Sequence, residues 1–84
     1  MSVSFAQDIR PLFRTDDIEH MSPYGVQLDD YTYMSDPGQD HKNAQAVQDF
    51  LTGKRKPRMP IGGPFWTAEE LDLYDRWMTG GYLP

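Results

Sequence analysis

The stretch Pro57–Gly81, PRMPIGGPFWTAEELDLYDRWMTGG, carries the clearest start, period and stop in this chain. Thr67 stands where a helix N-cap belongs, and Glu70, three residues on, completes a capping box. Glu69, Glu70 and Asp72 set negative charge against the positive end of the helix dipole. Leu71, Tyr74, Trp77 and Met78 recur at i, i+3, i+6 and i+7, so one face of the helix is apolar. Gly80 and Gly81 end it, because glycine accepts the left-handed conformation that other residues resist. Upstream, Met59-Pro60-Ile61-Gly62-Gly63-Pro64 is so rich in proline and glycine that its path is set, and it holds Met59 in one place.

Working outward to the start of the chain, Ser4 is the expected N-cap of a first helix, with Gln7 at the capping-box position. Phe5, Ile9, Leu12 and Phe13 fall at i, i+4, i+7 and i+8, which predicts a helix over Phe5 to Phe13, kinked or shortened at Pro11. The acidic run from Arg14 to Met21 reads first as a solvated turn. If it is helical, Asp16, Glu19 and His20 share a face, and carboxylate with imidazole is a donor set for a divalent metal, with His41 as a further candidate. Ser22-Pro23-Tyr24-Gly25 and Ser35-Asp36-Pro37-Gly38 are turn signatures. Val26 and Leu28 lie in an extended stretch. Asp29 is placed to cap a short helix over Asp30 to Met34. A middle helix starts at Asp40 or Asn43, buries Ala44, Val47, Phe50 and Leu51, and stops at Gly53. Lys54, Arg55, Lys56 and Arg58 then form a basic cluster just past a helix C-terminus, where cations are favoured. The prediction is an all-α domain over residues 1–84, with three main helices and one short one joined by ordered loops.

Composition narrows the function classes. A chain of 84 residues buries only about 60% of its unfolded surface, so help from a cofactor or partner is expected. There is no cysteine, which excludes disulfides and thiolate metal sites. No run is apolar enough for a membrane span or a signal peptide, so a cytoplasmic protein without membrane association is expected. The net charge of −5 argues against non-specific nucleic-acid binding. Two Trp, five Tyr and four Phe are a large aromatic load for a small core. No nucleophile–base pair, phosphate loop or catalytic carboxylate pair stands out, so no enzyme activity is expected.

The order of these features resembles a known family. A helix with Asp8-Ile9, Pro11 and Phe13, a polar segment ending in His20, a Gly25/Leu28 turn, a middle helix, Pro57-Arg58-Met59-Pro60, and a last helix with Arg76-Trp77-Met78 and Gly81 together resemble small class-I cytochrome c domains of the planctomycete type. The resemblance covers nearly the whole chain and implies a cytochrome c-like fold. In that family a Cys-x-x-Cys-His motif follows the first helix. Here the matching positions read Asp16, Glu19 and His20, so the haem-attaching cysteines are replaced while the proximal histidine position remains. The family's distal methionine falls on Met59.

The resemblance therefore implies a cytochrome c-like domain without covalent haem. The expected role is that of an accessory, protein-interaction domain supporting a partner such as an oxidoreductase or biosynthetic enzyme. Its contact candidates are Trp66, Tyr82, Lys54, Arg55, Lys56 and Arg58. Two alternatives stay open: a non-covalent haem b electron carrier with His20 and Met59 as axial ligands, and a metal-binding module at Asp16, Glu19 and His20. In the haem-free case Tyr24, Tyr31, Tyr33, Phe65 and Trp66 are expected to fill the haem's volume, since an empty cavity of that size is costly.

Overall fold

The structure, a computed structural model, describes residues 2–60 and 62–84. It begins with a helical segment whose character follows from Pro11. Proline has no N–H, and an α-helix cannot run through it unchanged. Phe5–Ile9 winds as a π-helix, in which the Arg10 N–H reaches back to the Phe5 carbonyl, and Arg10–Leu12 continues as a 3-10 turn. The expected single helix over Phe5 to Phe13 is thus two tighter and wider turns, but the apolar stripe survives, with Phe5, Ile9 and Phe13 buried. Ser4 caps the segment through its hydroxyl to the Gln7 N–H at 3.3 Å. The reciprocal bond comes from Asp8, whose carboxylate accepts from the Ser4 N–H at 2.9 Å, and not from Gln7.

The acidic run is helical. Helix α1, Thr15–Met21, starts at Arg14, and the Asp17 carboxylate accepts from the Arg14 N–H at 2.9 Å. Arg14 has no acceptor on its side chain to return the bond, so half of a capping box holds this end. Asp17 is buried and ion-paired to the Arg14 guanidinium at 3.3 Å. A 3-10 turn, Ser22–Tyr24, closes on Gly25 in the left-handed region. Helix α2, Tyr31–Met34, is capped by Asp30, one residue later than expected, whose carboxylate accepts from the Thr32 N–H at 2.9 Å.

Helix α3, Gly38–Thr52, opens differently from either expected start. Gln39, Asp40 and His41 have φ of 53°, 57° and 59°, a left-handed turn that precedes the right-handed body of the helix. Gly53 ends α3 at φ 88°, as its position in the sequence predicts. Helix α4, Ala68–Thr79, is the predicted one: the Thr67 hydroxyl and the Glu70 carboxylate exchange bonds with each other's backbone N–H at 3.2 and 2.8 Å.

Helix α4 packs on α3 and on the opening π-turn, and α2 packs on α3. The core centres on Trp77 and Tyr74, both fully buried, with Ile9, Met21, Leu28, Met34, Val47, Leu51 and Met59 around them. The Tyr74 hydroxyl donates to the Ala44 carbonyl at 2.8 Å, tying α4 to α3. The C-terminal residues close the molecule: Ser4 and Leu83 form a parallel bridge, and the Leu83 carbonyl accepts from the Phe5 N–H and from Trp77 Nε1, each at 2.9 Å. Among the described residues this bridge is the sole β-type pairing. The Cα radius of gyration of 11.7 Å is close to the about 12 Å of one compact domain of this length.

The aromatic residues divide otherwise than the sequence suggests. Of the five expected to fill a haem-sized volume, Trp66 is buried and Tyr31 and Tyr33 are half-buried, whereas Tyr24 and Phe65 are 66% and 47% exposed. The core is filled instead by Phe5, Phe13, Tyr74 and Trp77, which lie on helical stripes and were already committed to packing.

Candidate functional site

The segment from Gly53 to Thr67 joins α3 to α4. The Arg55 N–H bonds to the Asp49 carbonyl at 3.1 Å and the Met59 N–H to the Phe50 carbonyl at 2.9 Å, so the loop folds back along the end of α3. Met59 anchors it, 1% exposed within the core. Beyond Met59 the Gly63 N–H bonds to the Pro60 carbonyl at 3.0 Å, and Gly62 and Gly63 take φ of 82° and 64°, a conformation that side chains with a Cβ resist. This turn brings Pro64, Phe65 and Trp66 over the opening segment of the chain.

A cavity of about 210 Å³ lies there. Pro60, Pro64, Phe65 and Trp66 line it from the loop, Leu12 and Arg14 from the opening segment, and Thr67 and Glu70 from the start of α4. Trp66 packs on Phe13 and Tyr74, with ring centroids 5.2 and 6.1 Å away, and contributes a fixed wall. Phe65 forms an exposed rim, and the Arg58 guanidinium lies 4.1 Å from its ring centroid. Arg55 lies 5.6 Å from the centroid of Phe50. Of the charged groups in the cavity wall, Arg14 is ion-paired with Asp17, while Glu70 accepts from the Thr67 N–H and keeps its negative charge at the α4 side. Among the described residues none of Lys54, Arg55, Lys56 and Arg58 is ion-paired.

The predicted contact residues therefore separate. The four basic residues are exposed. Trp66 is 7% exposed and lines the cavity, so the exposed aromatic at this site is its neighbour Phe65. Tyr82 lies apart, stacked on His41 at 3.9 Å with the rings 4° from parallel, and edge-on to Trp77. Consecutive loop residues carry no periodicity, and nothing in the order Phe65-Trp66 says which ring turns inward.

His20 is exposed on α1, Met59 is enclosed in the core, and neither lines the cavity. That cavity is also smaller than the roughly 300–1,000 Å³ typical of cofactor and small-molecule sites. Asp16, Glu19 and His20 do share α1 and are all exposed, but no group of three His, Asp or Glu side chains converges to hold a metal ion among the described residues. His41 is held in its stack with Tyr82.

The fold and site define a small all-helical domain with an aromatic- and proline-walled cavity, at whose rim Arg58 lies over Phe65. No helix is long and apolar enough to cross a membrane, among the described residues. No protein family, curated protein or solved structure shows a significant match to this chain.

Proposed function

We propose that this chain is a haem-free, cytochrome c-like protein-interaction domain that supports a partner protein, an oxidoreductase or biosynthetic enzyme, and has no catalytic activity of its own. One observation carries the reading: a largely apolar cavity opens at the exposed ring of Phe65, over which Arg58 lies, and among the described residues neither Arg58 nor the three cations that precede it in sequence is ion-paired. A cavity of this size suits one inserted side chain, in the way hot-spot pockets take a single anchor. Binding also stabilises a small domain by mass action. The helical plan, with Met59 in the loop before a Trp-bearing last helix, is compatible with a cytochrome c-like ancestry in which the haem's role has been replaced by packing.

Photocrosslinking tests the proposal. With Phe65 replaced by benzoylphenylalanine, the domain is expected to crosslink to one partner protein. The same substitution at Tyr24, which is more exposed than Phe65 and does not line the cavity, is expected to give none. Equal crosslinking at the two positions removes the support for this site. A low-spin Soret band that forms with added haemin and is lost in His20→Ala would replace the reading with an electron carrier.

A further inference from the structure

The chemistry around the cavity narrows what enters it, given the reading of this surface as an interaction site. We infer that the occupant is an acidic peptide segment carrying one bulky apolar side chain, which enters the cavity while a flanking carboxylate meets Arg58 at the rim.

Charge distribution is the first ground. The chain carries 13 acidic and 8 basic side chains, yet four of those eight fall within Lys54–Arg58. At physiological salt, charges are screened beyond about 8 Å, so an arriving segment experiences the local cluster and not the acidic whole. None of the four is ion-paired among the described residues, and cations so close in sequence are complementary to carboxylates and repel a basic partner.

The second ground is the geometry of the arginines. Arg58 lies over Phe65 and Arg55 lies over Phe50. A guanidinium held against an aromatic face is restrained by the ring without consuming its N–H donors. Its planar edge stays free for a two-point hydrogen bond to a carboxylate, the arrangement that distinguishes arginine from lysine. Phe65 is thus a positioning residue for Arg58 and at the same time a rim of the cavity.

Size is the third ground. A cavity of about 150 Å³ holds a benzene molecule, so 210 Å³ accepts one phenylalanine, leucine or methionine side chain. The walls of Pro60, Pro64 and Trp66 are stiff, which limits the ordering cost of binding.

The test uses the intact chain and a labelled synthetic peptide with one central phenylalanine in a run of glutamates. Its counterparts carry lysines in place of the glutamates, or alanine in place of the phenylalanine. Binding is read by fluorescence anisotropy and by NMR shifts of the Trp66 indole. The glutamate–phenylalanine peptide is expected to bind, to shift Trp66, and to weaken steeply with added salt. Arg58→Gln is expected to weaken it about tenfold, the worth of a charge-assisted hydrogen bond. Arg58→Lys, which keeps the charge but loses the fork, is expected to recover only part of that loss. Arg58 is exposed, so both variants keep the fold, which circular dichroism verifies. If the glutamate and lysine peptides bind alike and both need phenylalanine, the acidic partner is overturned while the interaction site stands. If no peptide moves the Trp66 signal, both are overturned. Tighter binding of an RNA oligonucleotide than of the acidic peptide, at equal charge, also overturns the inference.

Discussion

Tyr74 shows how much one side chain carries in a domain this small. Its ring packs against Trp66 and Trp77, and its hydroxyl bonds to the Ala44 carbonyl inside the core. Burial first, and then the neighbouring Tyr82 and Tyr33 hydroxyls, push its pKa well above the ordinary 10.0. The sign of the consequence is fixed by linkage. Below pH 10 the phenol is protonated whether the chain is folded or not, and its contribution is fully present. Above pH 10 the unfolded chain releases the proton while the folded one retains it, so stability falls as pH rises, by up to about 1.4 kcal/mol for each pH unit. Urea unfolding at pH 8 and pH 11 checks this. Tyr74→Phe is expected to cost about 1 kcal/mol at pH 8 through its lost hydrogen bond, and to decline less than the parent by pH 11. An identical decline in both proteins would place the alkaline sensitivity elsewhere, with Tyr33 and Tyr82 the next candidates, since burial raises both.

Among the elements, α4 and the start of α3 mark the two limits of what the sequence discloses. Every feature of α4 is local: a cap, a partner three residues on, a stripe and a glycine pair, each acting within a turn or two. The left-handed turn at Gln39–His41 has no such signature. A left-handed conformation costs roughly 1–2 kcal/mol per non-glycine residue, and the contacts that offset it are tertiary or lie further along the helix. His41 stacks on Tyr82, 41 residues away in sequence, and Gln45 Nε2 donates to the Asp40 carbonyl. The opening segment falls between the limits: Pro11 announces a disturbance, but nothing announces that the turn before it widens. The cavity is legible only in part, because a stiff loop can be read from its prolines and glycines while the inward turn of Trp66 cannot. Gln39→Gly tests the account of α3. Gly removes the strain but raises the entropy of the unfolded chain, so a net gain of about 0.5–1 kcal/mol is expected, a few degrees in Tm for a domain of this size. A lower Tm by calorimetry would show that the left-handed turn is not under strain.

Across the whole molecule, the ends of the chain meet at one carbonyl. Leu83 O accepts from Phe5 N at the opening turn and from the buried indole of Trp77 in α4. One residue earlier, Tyr82 accepts from the Tyr31 hydroxyl of α2, donates its N–H to the Trp77 carbonyl, and stacks on His41 at the start of α3. Tyr82 holds φ 57° to do this, a conformation tolerated because so many partners fix it. Helix α4, the opening turn, α2 and α3 are therefore joined through residues 82 and 83, and shortening the chain is expected to loosen all four together. A chain ending at Gly81 loses four hydrogen bonds at about 1 kcal/mol each and two aromatic contacts of about 0.5–1.5 kcal/mol each, for a total of about 5–7 kcal/mol. That is a large part of the about 5–15 kcal/mol that holds a typical domain folded. Tyr82→Ala keeps the main-chain bonds and loses only the rings' contacts, so it is expected to cost about 1–2 kcal/mol. Urea unfolding followed by tryptophan fluorescence separates the two, and hydrogen exchange at the Phe5 amide reports the bond directly. If the shortened chain is no less stable than Tyr82→Ala, the Leu83 carbonyl is not the junction, and the four elements are held by their side-chain packing alone.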